Sequence, residues 1–545
     1  MTLAIWKPEP PRAGASNMAR FSEKVAYEHE LALHGGGVLR SSDYEKLWRW
    51  SVDHPEKFWP AIWRHCGVLG TPGERVLEDA TAMPGAQFFP DATLNFAENL
   101  LKGGRLRQAG DEPALIARDE RGRRRVLSWD QLHGKVAALA NALRADGVGP
   151  GDRVAGFLPN TLEPVIAMLA TASVGATWSS CSPDFGLNGV VDRFGQIAPK
   201  VLFACDGYTY AGKPVDTREC VAQVRAALPA LKRLVIVPFL EDAPELATLP
   251  GAVLFEAYAV AGPLQFTPVA FAHPLYILYS SGTTGKPNCI VHGTGGTLLQ
   301  HLKELALHTD VNPGDRLFFY TTCGWMMWNW LVSGLAVGAT VVLYDGAPLA
   351  PDARVIWDIA AEERLTQVGV SPKYLSALEK TGVRPIASHR LSELRTILST
   401  GSPLAPEQFD FVYRDIKADV QLASISGGTD IISCFALGHP QLPVYRGELQ
   451  CRGLGMAVEV FDDAGHPLHN QPGELVCTRP FPSMPVGFWN DPDGARYRAA
   501  YFERFPGAWH HGDYAELTPH GGLIIAGPDR HRALDQRAAR PRAGQ

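Results

Sequence analysis

Residues 274–296 read PLYILYSSGTTGKPNCIVHGTGG. Tyr276-Ile277-Leu278-Tyr279 is a short apolar, β-prone run, and Cys289-Ile290-Val291-His292 is a second. Leu298, Leu299, Leu302, Leu305 and Ala306 then recur at helical spacing. Between the runs lies Ser280-Ser281-Gly282-Thr283-Thr284-Gly285-Lys286-Pro287. Glycines let backbone N–H groups turn toward an anion, hydroxyls add donors, and a lysine adds positive charge. Those are the needs of a bound polyphosphate. The loop is not a Walker A motif, because Gly282 and Gly285 are too close together for its spacing. An ordinary polar turn uses the same residue types, so the loop alone leaves both readings open.

The chain has 545 residues, enough for several domains by the usual size of about 150 residues each. With 46% hydrophobic and 20% charged residues, it reads as globular rather than disordered. A net charge of −6 gives no reason to expect nucleic acid or an anionic membrane surface as partner. The nine cysteines are scattered without metal spacing, which implies reduced thiols and a cytoplasmic protein. No signal peptide is visible, since Pro8, Pro10 and Pro11 break any early apolar run. No stretch reaches the ~18 apolar residues of a membrane span. Small-molecule substrates are the expected partners, and the oligomeric state is left open.

Residues 1–110 form a lead-in with an aromatic helical cluster: Ser42 and Glu45 read as a capping box, followed by Trp48, Trp59 and Trp63. Residues 111–440 alternate strands and helices. Ser128 and Gln131 form another capping box, Gly147 is placed for a C-terminal cap, and apolar runs such as Val201-Leu202-Phe203-Ala204 follow. This rhythm predicts an α/β fold with two mixed sheets flanked by helices. Residues 441–525 change to short strands between Gly and Pro turns, which predicts a small β-barrel. Residues 526–545 have no periodicity.

Four further segments join the loop: Thr322-Cys323-Gly324-Trp325-Met326-Met327-Trp328-Asn329, Ser399-Thr400-Gly401-Ser402-Pro403-Leu404, Ser426-Gly427-Gly428-Thr429-Asp430, and Trp509-His510-His511-Gly512-Asp513-Tyr514. In this order and spacing, over about residues 35–525, the chain resembles the adenylate-forming superfamily of acyl-CoA synthetases. Leu94-Asn95-Phe96-Ala97-Glu98-Asn99-Leu100, Trp178-Ser179-Ser180-Cys181-Ser182-Pro183-Asp184 and the CGWMMWN segment are similar to the acetoacetyl-CoA synthetase branch.

The resemblance implies an ATP-dependent ligase that joins a carboxylate to AMP, then passes the acyl group to coenzyme A, with Mg2+ assisting. It assigns ATP binding to Ser280, Ser281, Gly282, Thr283, Thr284, Gly285 and Lys286, to Gly401-Ser402-Pro403, to Gly428-Thr429-Asp430 and to Asp513. Asp430 stands where the family holds Mg2+, and Asp513 where it holds the ribose hydroxyls. Trp325, Met326, Met327, Ser426 and Gly427 would wall the acyl pocket. Acetate-using relatives carry tryptophans at the places of Ser426 and Gly427, so a four-carbon acid is expected here, and Gly427→Trp is expected to reverse that preference. Gly212-Lys213 falls where relatives contact coenzyme A.

Two departures stand out. Asn288 replaces the usual lysine at the loop's end, and Gly527-Pro528-Asp529-Arg530 replaces the family's Gly-Arg-x-Asp hinge. The family's C-terminal domain, with its catalytic lysine, is expected to be absent and turnover of this chain impaired. The final run reads as a basic arm, a disordered terminus or out-of-frame translation, the abrupt end of the resemblance favouring the last. A noncatalytic ATP- or acyl-binding remnant, or a synthetase for another short-chain acid, is the alternative.

Overall fold

The computed structural model describes residues 3–34, 38–107, 110–280 and 285–526. Two large sheets carry the fold. The first has eight strands, in the order Val253–Leu254, Arg233–Val237, Val201–Cys205, Arg153–Phe157, Thr177–Cys181, Pro274–Ser280, Asn288–Gly293 and Gly487–Phe488. Its strands pair in parallel through Pro274–Ser280, and antiparallel beyond it. Val201–Cys205 is buried along its whole length, as a central parallel strand covered on both faces must be.

The second sheet has seven strands: Gln421–Ser424, Thr396–Ser399, Gln367–Val370, Arg316–Phe319, Thr340–Asp345, Pro113–Asp119 and Arg124–Ser128. All pairings are parallel except the last. Arg316–Phe319 pairs with the next strand in sequence, Thr340–Asp345, on one side and with the one after it, Gln367–Val370, on the other. The winding therefore reverses at Arg316–Phe319, and in open α/β sheets the crevice at such a carboxyl end is where ligands bind.

Helices cover both sheets. Trp129–Ala145 starts at the predicted cap: Ser128 Oγ accepts from Gln131 N at 3.1 Å, and Gln131 Oε1 accepts from Ser128 N at 2.9 Å. It stops before Gly147, whose φ of +73° continues no helix.

Residues beyond 425 form antiparallel sheets that begin earlier than the expected 441 and are open sheets of three and four strands where a small barrel was expected. Ser426–Gly428, Ser433–Leu437 and Cys451–Arg452 make a three-stranded sheet. Val458–Phe461, Pro472–Cys477, Trp509–Leu517 and Leu523–Ala526 make a four-stranded one, linked back by a bridge between Leu449 and Leu523. The N-terminal aromatic cluster packs against this β region. Trp48 Nε1–H donates to Met456 O at 3.0 Å, Tyr44 O–H to Arg452 O, and the Arg452 guanidinium lies 3.4 Å above the Trp48 ring. Residues 527–545 lie outside the described residues.

Candidate active site

The cleft lies at the carboxyl ends of the second sheet's strands. Adjacent strands Thr396–Ser399 and Gln421–Ser424 run parallel, with Ser399 in register with Ser424. Their carboxyl ends release Thr400-Gly401-Ser402-Pro403 and Ile425-Ser426-Gly427-Gly428-Thr429 side by side. The switch strand Arg316–Phe319 releases the segment that ends at Trp325. From the β region, Trp509–Leu517 brings Asp513 across the opening.

These segments enclose a cavity of about 340 Å³ lined by Trp325, Met326, Met327, Gly401, Ser402, Pro403, Ser426, Gly427, Gly428, Thr429 and Asp513, with Ser433 and Cys434 behind. The cavity thus gathers residues that the sequence scatters over almost two hundred positions. Met326 and Met327 are buried, whereas Trp325 is 62% exposed at the rim. Asp513 is open to the cavity, and His511 Nε2 stands 3.7 Å from its Oδ2.

Asp430 sits just beyond the lining, in the turn between Ser426–Gly428 and Ser433–Leu437. The Tyr501 hydroxyl donates to its Oδ1. Ser280 ends its strand opposite Asn288. Gly285 has φ +87°, open to glycine and strained for most other residues, and Lys286 is exposed. Ser281, Gly282, Thr283 and Thr284 lie outside the described residues.

Gly212-Lys213 is not part of this cavity. It forms the turn of a separate hairpin, Gly207–Tyr210 with Lys213–Asp216. Glu120 clasps that turn by accepting from Ala211 N at 3.1 Å and Gly212 N at 2.7 Å.

The expected role of Gly427 needs correction. A Cβ on Gly427 would meet Ser433 O at 2.1 Å and Cys434 Cα at 2.7 Å. The space beside Gly427 is filled by its paired strand, so Gly427→Trp has no pocket to enter. Met326, Met327 and Ser426 line the same cavity with their side chains.

Behind the lining lies a buried polar cluster that sequence reading passed over. Glu304, fully buried, accepts from Cys434 N at 3.0 Å, Trp330 Nε1 at 3.0 Å and the Ser433 hydroxyl, with Lys303 Nζ 3.7 Å away. Both charges lie in a π-helical turn, Lys303–His308. Burial pushes the Lys303 ammonium below its usual range, and Glu304 pulls it back up. The signal was available: a Lys-Glu pair interrupts an apolar run, and such charges are rarely buried unless paired. Nearby, His292 is buried, and burial lowers its pKa to about 3, opposed by a hydrogen bond to the Thr429 backbone.

Among the described residues no group of three metal-ligating side chains occurs, and no helix is long and apolar enough to cross a membrane.

The AMP-binding enzyme family matches residues 104–486, and the acetyl-coenzyme A synthetase N-terminus matches residues 44–100. The fold is therefore that of an adenylate-forming ligase, a class that uses ATP, Mg2+ and coenzyme A. The acetoacetyl-coenzyme A synthetase of Rhizobium meliloti (strain 1021) is 58% identical over 527 residues, spanning 96% of this chain and 79% of that protein. The Gallus gallus acetoacetyl-CoA synthetase is 44% identical over 536 residues, 96% of this chain and 78% of that one. The solved acetoacetyl-CoA synthetase from Streptomyces lividans superposes with a TM-score of 0.90 at 46% identity, covering 96% of this chain and 80% of that one. The chain belongs to the acetoacetyl-CoA synthetase family of AMP-binding enzymes.

Proposed function

We propose that this chain binds ATP and acetoacetate in the cleft between Gly401, Thr429 and Asp513, and activates the acid as its acyl adenylate for transfer to coenzyme A. The observation that carries the reading is the single cavity joining the Gly401-Ser402-Pro403 turn, Gly428-Thr429 and Asp513 to the wall of Met326 and Met327. One end offers backbone and a carboxylate, suited to adenine and ribose hydroxyls. The other offers the apolar side chains of Met326 and Met327, suited to a small acyl chain.

A carboxylate attacking an α-phosphate meets like-charge repulsion, so the protein's task is positioning and charge stabilisation. Lys286 and the loop before it would face the outer phosphates. Asp513 would accept from the ribose hydroxyls, and Thr429 would contact phosphate. Mg2+, when bound, neutralises phosphate charge. It is commonly held by one or two carboxylates together with substrate phosphates, and Asp430 fits: its Oδ2 has no hydrogen-bond partner among the described residues. Gly212-Lys213, on its separate hairpin, remains the proposed contact for the nucleotide end of coenzyme A.

The test is binding of stable acyl-adenylate analogues, measured by calorimetry on the purified chain. An acetoacetyl analogue is expected to bind at least tenfold more tightly than an acetyl one, a difference of about 1.4 kcal/mol. Equal affinities would remove the acyl assignment while leaving the nucleotide site standing.

A further inference from the structure

We infer that Tyr501 is a positioning residue that fixes which oxygen of Asp430 faces the nucleotide–metal complex. The inference rests on reading Asp430 as the metal-holding carboxylate. Tyr501 ends the helix Ala495–Tyr501, outside every segment so far given a role. Its ring stacks on Trp509, with centroids 3.8 Å apart and planes inclined by 15°. Tyr497 and Phe488 abut it edge-on at 5.4 and 5.8 Å. Trp509 is fully buried, and Tyr501 is 6% exposed. The phenol ring therefore has one place to be, and its hydroxyl reaches Asp430 Oδ1 from there.

That single hydrogen bond divides the carboxylate. Oδ1 is occupied. Oδ2 has no partner among the described residues, and no lysine or arginine among them pairs with Asp430. A Cβ placed on Gly428 would lie 4.0 Å from Asp430 Oδ2 and 3.5 Å from His511 Nε2. Oδ2 thus looks into the space above Gly428, which borders the cavity. Trp509 Nε1–H also approaches His511 Nδ1 at 3.5 Å, and His511 Nε2 neighbours Asp513. The stacked pair therefore touches Asp430 through Tyr501 and His511, the neighbour of Asp513, through Trp509. Without the hydroxyl, nothing described here would stop the Asp430 carboxylate from rotating. Groups that orient a metal ligand in this way typically govern roughly 10- to 100-fold in metal affinity.

Tyr501→Phe keeps the stack and removes only the donor. The experiment titrates Mg2+ against the full chain at a fixed concentration of a non-hydrolysable ATP analogue, following nucleotide binding by calorimetry, with Mn2+ binding read separately by electron paramagnetic resonance. The Mg2+ concentration for half-maximal nucleotide binding is expected to rise about tenfold. Nucleotide affinity at saturating Mg2+ and the near-ultraviolet circular dichroism should stay close to those of the parent. Asp430→Asn is the control and should raise the same midpoint at least as far. A parental midpoint in Tyr501→Phe beside a raised one in Asp430→Asn would reduce Tyr501 to packing and overturn the inference. An unmoved midpoint in Asp430→Asn would instead refute the metal reading of Asp430, and the inference with it.

Discussion

A Cβ on Gly427 would lie 2.1 Å from the carbonyl oxygen of Ser433, inside any allowed contact. The two residues belong to paired strands, Ser426–Gly428 and Ser433–Leu437, with an irregularity between Ser426 and Gly427. Close approach of backbones, rather than a vacated side-chain pocket, explains the glycine. Gly427→Ala is therefore expected to destabilise the chain by about 1–3 kcal/mol, the usual range for overpacking. Gly427→Trp should yield little folded protein instead of an acetate-preferring variant. Urea unfolding of the alanine variant checks the first statement. A folded tryptophan variant that binds an acetyl-adenylate analogue tightly would reinstate the pocket.

Asp513 is half open to the cleft, 42% exposed, with His511 Nε2 3.7 Å from its Oδ2. Removing it should leave the fold intact and weaken nucleotide. A charge-assisted hydrogen bond contributes about 1.5–3 kcal/mol, so Asp513→Ala should raise the Kd for ATP roughly 10- to 150-fold. Calorimetry with ATP decides it. Unchanged affinity would mean that the ribose is held elsewhere.

The comparison of sequence and structure separates local information from long-range information. Ser128 and Gln131 announced their helix because both partners of the capping box lie within one turn. The parallel strands were legible because burial on both faces leaves continuous apolar runs. The box read at Ser42 and Glu45 was displaced. The helix there begins at Ser41, with Arg40 N–H donating to Asp43 Oδ2 at 3.3 Å. Glu45 is drawn instead to Arg452 Nη2 at 2.7 Å, more than four hundred residues away. Gly427 was misread for the same reason, since the carbonyl that excludes a side chain arrives with the next strand. Tyr501 left no local trace at all: only the fold sets it on Trp509 and against Asp430.

The Lys303–Glu304 pair should be among the most sensitive positions outside the cleft. Glu304→Ala would leave an ammonium buried without its counter-charge and would strip acceptors from Cys434 N, Trp330 Nε1 and Ser433. Breaking a buried pair from one side typically costs about 3–5 kcal/mol. Because Ser433 and Cys434 line the cavity, ligand binding should fall in parallel. Glu304→Gln keeps an acceptor and should cost less. Chemical denaturation of both variants tests the order, and a neutral Glu304→Ala would show that Lys303 is paired some other way.

Asp345 should make the chain less stable as pH rises toward neutrality. It ends the strand Thr340–Asp345, in register with Asp119, and accepts from Asn160 N at 2.8 Å. Burial raises its pKa from the usual 3.8 to about 7, opposed by the Asn160 hydrogen bond and reinforced by Asp119, Glu120 and Asp184. Between about pH 4 and 7 the folded chain keeps this proton while the unfolded chain has released it. Stability contributed by the protonated carboxyl is thus present at the acid end of that window and is lost as pH rises through it. Above pH 7 the folded chain carries a partly buried carboxylate crowded by acidic neighbours. Asp345→Asn retains the acceptor for Asn160 and removes the charge. It is expected to match the parent near pH 4 and to exceed it at pH 8 by on the order of 3 kcal/mol. The measurement is urea unfolding of both proteins at pH 4.5, 6 and 8. Parallel stability curves across that range would mean that Asp345 is ionised at no cost, and that its acidic neighbours are better solvated than their burial implies.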